Sequence, residues 1–162
     1  MEKEKHLIRK FAMEDRELVV EFFAQMGGES RAFFNRGDGN KNNALSFFEK
    51  NGDKPSWVRF LSSTINDRNE EIMTGYVFAW DMDLYVPTLG IAVREECKGK
   101  GLGRVLMQHL ISYLTENDYG GVMLTTSFAN IRGQSLYERM GFKHIGTHVS
   151  GEMLYLLNFK RK

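Results

Sequence analysis

The stretch Leu89-Gly90-Ile91-Ala92-Val93-Arg94-Glu95-Glu96-Cys97-Lys98-Gly99-Lys100-Gly101-Leu102-Gly103 runs from β-forming residues into a bend with three alternating glycines. Beyond it, residues 102–116 place Leu102, Val105, Leu106, Leu110, Tyr113 and Leu114 on one helical face. The glycines therefore sit between a strand and a helix. A helix start presents unpaired backbone N–H groups and the positive end of the helix dipole, which suits an anion. Gly99, Gly101 and Gly103 let main chain approach such a guest, and Lys98, Lys100 and Arg104 add positive charge. A diphosphate fits this description. The glycines alone leave a plain solvated connection equally open.

Working outward, Gly120-Gly121 ends the helix and residues 122–126 read as a strand, so the helix is the crossover of a βαβ unit with parallel strands. Asn130 is a candidate cap for a helix over 131–140, with Gly141 as its stop. Residues 143–148 and 152–158 read as two closing strands. Upstream, 6–11 suggests a first strand and 14–26 a helix with Leu18, Val19, Phe22, Phe23 and Met26 at helical spacing. Short helical segments are expected at 29–35 and 43–50, separated by the polar loop 35–43. Strands at 58–65, 71–80 and 84–93 complete an antiparallel meander. The whole predicts an α/β (α+β) mixed sheet with helices on both faces, in one domain spanning residues 1–162.

Two other phosphate motifs fail here. A P-loop needs Ser or Thr after Gly-Lys, but Gly99-Lys100 is followed by Gly101. A dinucleotide fingerprint needs a glycine three places after Gly101, where Arg104 stands. Composition sets further bounds. A length of 162 residues suits one domain, and 42% hydrophobic with 27% charged residues suits a globular chain. The formal charge of +1 offers no long-range field for nucleic acid or an anionic membrane. The opening MEKEKHLIRK lacks the apolar stretch of a secretory peptide, and no apolar run is long enough to span a bilayer. A single cysteine, Cys97, excludes an internal disulfide and points to a reducing, cytoplasmic setting.

The segment 98–103 resembles the Arg/Gln-x-x-Gly-x-Gly/Ala motif of the GNAT superfamily of acyl-CoA-dependent N-acyltransferases, with Lys98 where Arg or Gln is usual. Downstream, LTTSFANIRGQSLYERMGF is similar to that superfamily's second signature, with Asn130, Tyr137, Gly141 and Phe142 in register. The two signatures stand in the right order, about 30 residues apart. The resemblance implies a GNAT fold in which acetyl-CoA occupies a gap between splayed parallel strands. It implies that Ile91, Ala92 and Val93 meet the pantetheine arm and thioester, that the backbone from Gly99 through Lys100, Gly101, Leu102 and Gly103 to Arg104, beside Lys98, holds the pyrophosphate, and that Asn130 hydrogen-bonds the arm. Tyr137 is implied as the general acid for the departing thiolate.

The function expected is acetyl transfer from acetyl-CoA to a primary amine of a small molecule or peptide, without a metal. The alternative is a non-catalytic acyl-CoA-binding sensor. A homodimer is left open, and no nucleic acid or membrane partner is expected. Where relatives carry a glutamate base, this chain has Pro87 and Thr125; Asp81, Asp83 and Glu29 are candidates acting through water. Cys97 reads as structural. His144 and His148 lie about 13 Å apart on a strand, too far to share a metal. Phe22, Phe23, Phe33, Phe34, Phe47 and Phe48 are core residues by spacing, some with a role in an acceptor pocket.

Overall fold

The structure is a computed structural model that describes residues 5–26, 41–49 and 55–160. In chain order its elements are β1 (Leu7–Lys10), a 3-10 turn (Met13–Asp15), α1 (Arg16–Ala24), α2 (Lys41–Glu49), β2 (Trp57–Ile65), β3 (Glu71–Trp80) and β4 (Thr88–Val93). A second 3-10 turn (Glu95–Cys97) leads to α3 (Leu102–Glu116), β5 (Gly121–Thr126), α4 (Ile131–Arg139), β6 (Lys143–Thr147) and β7 (Met153–Asn158). These strands form one sheet in the order β1-β2-β3-β4-β5-β7-β6. Every neighbouring pair is antiparallel except β4 and β5, which run parallel with α3 as their crossover.

The period-2 alternation of β3 divides the interior into two layers. Val77 and Ala79 join Leu102, Leu106, Leu110 and Leu114 of α3 in one apolar cluster, which also holds Val122 and Leu124 of β5. Tyr76 and Phe78 point the other way, into a cluster with Val19, Phe22 and Phe23 of α1 and Phe47 and Phe48 of α2. Helices therefore cover both faces of a mixed sheet, as the sequence pattern predicts. Over β5 and β7 the α1 face is covered less completely: Met123, Thr125, Leu154 and Leu156 are only half-buried.

Three of the described elements depart from expectation by more than one residue at an end. The strand predicted over 84–93 begins only at Thr88. Pro87 lacks the N–H that would extend a ladder, and Leu84 closes a turn by donating its N–H to the Asp81 carbonyl at 2.9 Å. The helix predicted over 43–50 starts earlier, at Lys41, so the C-terminal end of the predicted polar loop is helical. The first turn of the 14–26 segment is a 3-10 turn, with the buried Asp15 accepting from the Ala12 N–H at 2.8 Å and from both terminal nitrogens of the Arg9 guanidinium. The helical turn predicted at 29–35 lies outside the described residues. Among the described residues no helix is long and apolar enough to cross a membrane.

Candidate functional site

Strands β4 and β5 touch at one register position, Thr88 opposite Met123, fixed by the Met123 N–H donating to the Pro87 carbonyl at 2.9 Å. Beyond that point they separate. The Arg94 N–H donates to the Thr74 carbonyl at 2.8 Å, which sets the phase of the β3–β4 ladder. By antiparallel alternation Ala92 and Gly90 direct their main-chain groups to β3, whereas Leu89, Ile91 and Val93 direct theirs into the gap facing β5. All five of these residues, Leu89, Gly90, Ile91, Ala92 and Val93, line a cleft of about 1020 Å³, and Leu124, Thr125 and Thr126 line it from the β5 side. That volume is at the upper end of what ligand pockets enclose. A gap of this kind supplies backbone donors and acceptors in a row, matched to a ligand that carries amide groups.

The glycine bend forms one end of the cleft. Gly99 and Gly101 have φ of 76° and 87°, in the left-handed region that side-chain-bearing residues avoid. Gly101 caps α3, and among the described residues no side chain caps the N–H groups of the first turn. Those of Leu102, Gly103 and Arg104 are therefore open to an anion. Lys98, Gly99, Gly101, Leu102, Gly103 and Arg104 all line the cleft; Lys100 does not and is exposed. Lys98 Nζ lies 3.1 Å from Glu95 Oε1, a partly exposed pair that can exchange for a phosphate at little cost. The bend is anchored from behind by Arg94, 6% exposed, whose Nε donates to the Met73 carbonyl at 2.9 Å and whose terminal nitrogens pair with Glu21 of α1.

The second signature closes the opposite wall. Asn130 caps α4, its Oδ1 accepting from the Gly133 N–H at 3.1 Å while its Nδ2 donates to Thr126 Oγ1 at 3.0 Å. It thus ties α4 to the end of β5 and retains one N–H for a ligand. Tyr137, 7% exposed, packs its ring 6.1 Å from that of Phe142 and 6.0 Å from that of Tyr155. Its hydroxyl makes no hydrogen bond among the described residues, and the residue lines the cleft.

Burial pushes the Tyr137 phenol up to about 12, and the charges of Glu152 and Tyr155 add to that. The fold thus favours the neutral phenol. An unfolded tyrosine titrates near 10, so this contribution is complete below about pH 10 and is lost as pH rises toward about 12. It amounts to a few kcal/mol, about 1.4 kcal/mol for each pH unit of displacement. Urea denaturation at pH 9, 10.5 and 12 is expected to show the native chain losing about 1–3 kcal/mol more stability over this range than Tyr137→Phe. Parallel losses in the two would exclude the buried phenol as the cause.

Among the candidate bases, Asp81 and Asp83 sit in the exposed turn after β3, away from the cleft, and Glu29 lies outside the described residues. Phe22, Phe23, Phe47 and Phe48 are core residues and do not line the cleft; Phe33 and Phe34 lie outside the described residues. Besides Tyr137, the aromatic lining comes from Phe78 and Trp80 of β3. Cys97 is buried within the α3-side cluster. His144 is on β6 with its ring 5.4 Å from that of Tyr155, and His148 bonds to Ser150 in the following turn. The residue that sequence reasoning missed is Glu152, a carboxylate in the cleft beside Tyr137. Only the register of β7 against β5, which sets Met153 opposite Thr126, brings it there.

Comparison with known proteins agrees with this geometry. The model of the acetyltransferase (GNAT) family matches residues 26–142. Over 68 residues, 42% of the chain, it is 29% identical to N-acetylaspartate synthetase of Homo sapiens and 34% identical to streptothricin acetyltransferase of Streptomyces lavendulae. These matches cover 22% and 35% of those relatives, so the chain spans well under two thirds of the curated relatives it matches. The crystal structure of PaiA N-acetyltransferase from Thermoplasma acidophilum in complex with coenzyme A superposes with a TM-score of 0.70 at 16% identity, covering 96% of this chain and 99% of that one. A splayed parallel strand pair, a left-handed glycine bend at a helix start and a family match across both place this chain in the acetyltransferase (GNAT) family.

Proposed function

We propose that the chain transfers the acetyl group of acetyl-CoA to a primary amine of a small molecule or peptide by direct attack of the amine on the thioester. The observation that carries this reading is the Tyr137 hydroxyl, held neutral and open to the same cleft that the glycine bend and the β4–β5 gap line. A binding module needs the bend and the gap. It has no use for a proton donor in the cleft beside them.

The residues fit acetyl-CoA by donor chemistry. The N–H groups of Leu102, Gly103 and Arg104, with Lys98 and the Arg104 side chain, suit a pyrophosphate. The inward groups of Ile91 and Val93 suit amides and a thioester oxygen, where an N–H stabilises developing negative charge. Asn130 has one N–H to spare for the same arm. Acetyl-CoA supplies an activated acyl group, and Tyr137 donates toward sulfur as the thiolate leaves. Aminated small molecules and peptide N-termini both suit this chemistry, and the two curated relatives bear names of small-molecule products or substrates.

Calorimetry with acetyl-CoA is expected to give saturable, one-site binding. CoA release, followed with a thiol reagent across amino acids, polyamines, aminoglycosides and short peptides, is expected to depend on the amine. Absence of acetyl-CoA binding to folded protein overturns the assignment. Binding with no amine-dependent release from any acceptor would favour a sensor.

A further inference from the structure

The cleft passes through the sheet, and its two sides differ in charge. Leu102, Gly103, Arg104 and Tyr137 approach from the α3 side. On the opposite side the lining comes from Phe78, Trp80, Gly90, Thr125 and Glu152. Strand alternation establishes this: Phe78 lies opposite Gly90 and Trp80 opposite Thr88, Thr88 pairs with Met123, and Thr125 follows two residues later opposite Leu154. Glu152 continues that parity from Leu154, and its carbonyl accepts from the His148 N–H at 2.8 Å, so its backbone extends the β6–β7 ladder.

The cationic lining residues, Lys98, Arg104, Arg132 and Arg139, belong to the bend and to α3 and α4. Among the described lining residues there are two carboxylates. Glu95 is paired with Lys98. Glu152 is half-buried, and its carboxylate has no hydrogen-bond or ion-pair partner among the described residues. A half-buried carboxylate is partly desolvated and gains most from a cation that joins it there. Across the cleft, on the same side of the sheet, the β3 wall is apolar and rigid: the Trp80 ring is stacked 5.7 Å from Trp57 and 5.6 Å from Phe78. Gly90 is needed for that packing, since a Cβ there would come within 2.3 Å of the Phe78 ring.

We infer that Glu152 and the Trp80–Phe78 wall form the acceptor subsite, which takes a cationic amine on an apolar carbon skeleton and disfavours an amine flanked by carboxylates. This rests on the acetyl-transfer reading above. The ammonium gives one proton to Glu152 and becomes the neutral amine. Its lone pair then forms the C–N bond as the C–S bond breaks. The thiolate takes the Tyr137 proton, the second proton lost from nitrogen returns to the phenolate, and Glu152 releases its proton to water.

The test is calorimetry on the full chain saturated with CoA, titrated with n-butylamine, cadaverine or L-aspartate, together with acetyl-CoA-dependent CoA release for each. The expected result is that at least one of the two cationic amines binds saturably and at least about tenfold more tightly than L-aspartate. Glu152→Gln should weaken that binding and lower kcat/KM about tenfold or more while acetyl-CoA affinity stays within about twofold, and Glu152→Asp should recover part of the loss. Tighter or equal binding of L-aspartate, or unchanged amine binding in a folded Glu152→Gln, overturns the inference. So does a wild-type chain that binds acetyl-CoA but neither cationic amine. Failure to bind acetyl-CoA overturns the acetyl-transfer reading instead. The wild-type comparison of amines needs no variant, so it decides the matter even if Glu152→Gln does not fold.

Discussion

Tyr137→Phe is expected to lower kcat for amine acetylation about 10²-fold while leaving the Kd for acetyl-CoA within about twofold. The ring contacts with Phe142 and Tyr155 survive the substitution, and the hydroxyl that is lost bonds to nothing among the described residues, so neither packing nor the cleft wall should change. The size of the effect follows from the acidity. A phenol pushed up to about 12 is fully protonated at neutral pH. Handing its proton outright to a thiolate of ordinary pKa near 8.5 is uphill by about 5 kcal/mol. On the proposed reading, Tyr137 therefore serves mainly as a hydrogen-bond donor to sulfur, completing transfer only as the amine nitrogen replaces its proton. That places the loss at the low end of the 10²–10⁴ range for general acids. Unchanged kcat removes Tyr137 from the mechanism, and a matching loss of acetyl-CoA affinity would assign it to packing.

Much of this architecture is legible along the chain because each element is marked locally. The expected limits of β3 and α3 match the structure, since β-formers fill 71–80 and an apolar stripe of 3.6 period fills 102–116. The glycine bend and Asn130 are equally local signals: a left-handed bend needs glycine, and an Asx cap announces itself by position. Residues 84–87 misled because Leu84, Tyr85 and Val86 are apolar. Leu84 and Tyr85 are in fact exposed in a turn that joins β3 to Pro87, with the Gly120 N–H donating to the Tyr85 carbonyl at 2.9 Å. Residues 41–43 misled in the opposite sense, being polar yet helical. The acceptor side was the least legible. Phe78 reads as one more core aromatic, and Glu152 follows a turn glycine as any surface carboxylate does. That they line one cleft, from β3 and from the start of β7 with β4 and β5 between them, is a property of sheet order, set by long-range pairing that no local pattern encodes.

Gly101→Ala and Gly103→Ala, one bend apart, are expected to behave differently. At Gly101 an added Cβ would meet nothing within 4 Å, so space is not what excludes it. The obstacle is φ of 87°, where an L-residue costs about 1–2 kcal/mol. The free bend can shed that strain by relaxing to negative φ, since Gly99, Lys100 and Gly101 lie outside both apolar clusters, and the relaxed form no longer aims the first N–H groups of α3 at the cleft. Restoring the bend on binding then costs about the same amount, so the Kd for acetyl-CoA should rise about tenfold with little change in Tm. Gly103 lies inside α3, where a Cβ would sit 3.4 Å from Leu136 Cδ2 and 3.8 Å from Val93, ordinary contacts both. Alanine is the better helix former by about 1 kcal/mol. Gly103→Ala should therefore keep Kd within about threefold and hold or raise Tm. The sequence assigns both glycines one purpose, close approach of main chain to an anion, whereas the dihedral angles divide them: Gly101 sets the handedness of the bend and Gly103 does not. Calorimetry on the two variants separates these roles, because equal losses of affinity would show that bare backbone at both positions, rather than a left-handed turn at one, is what the anion requires.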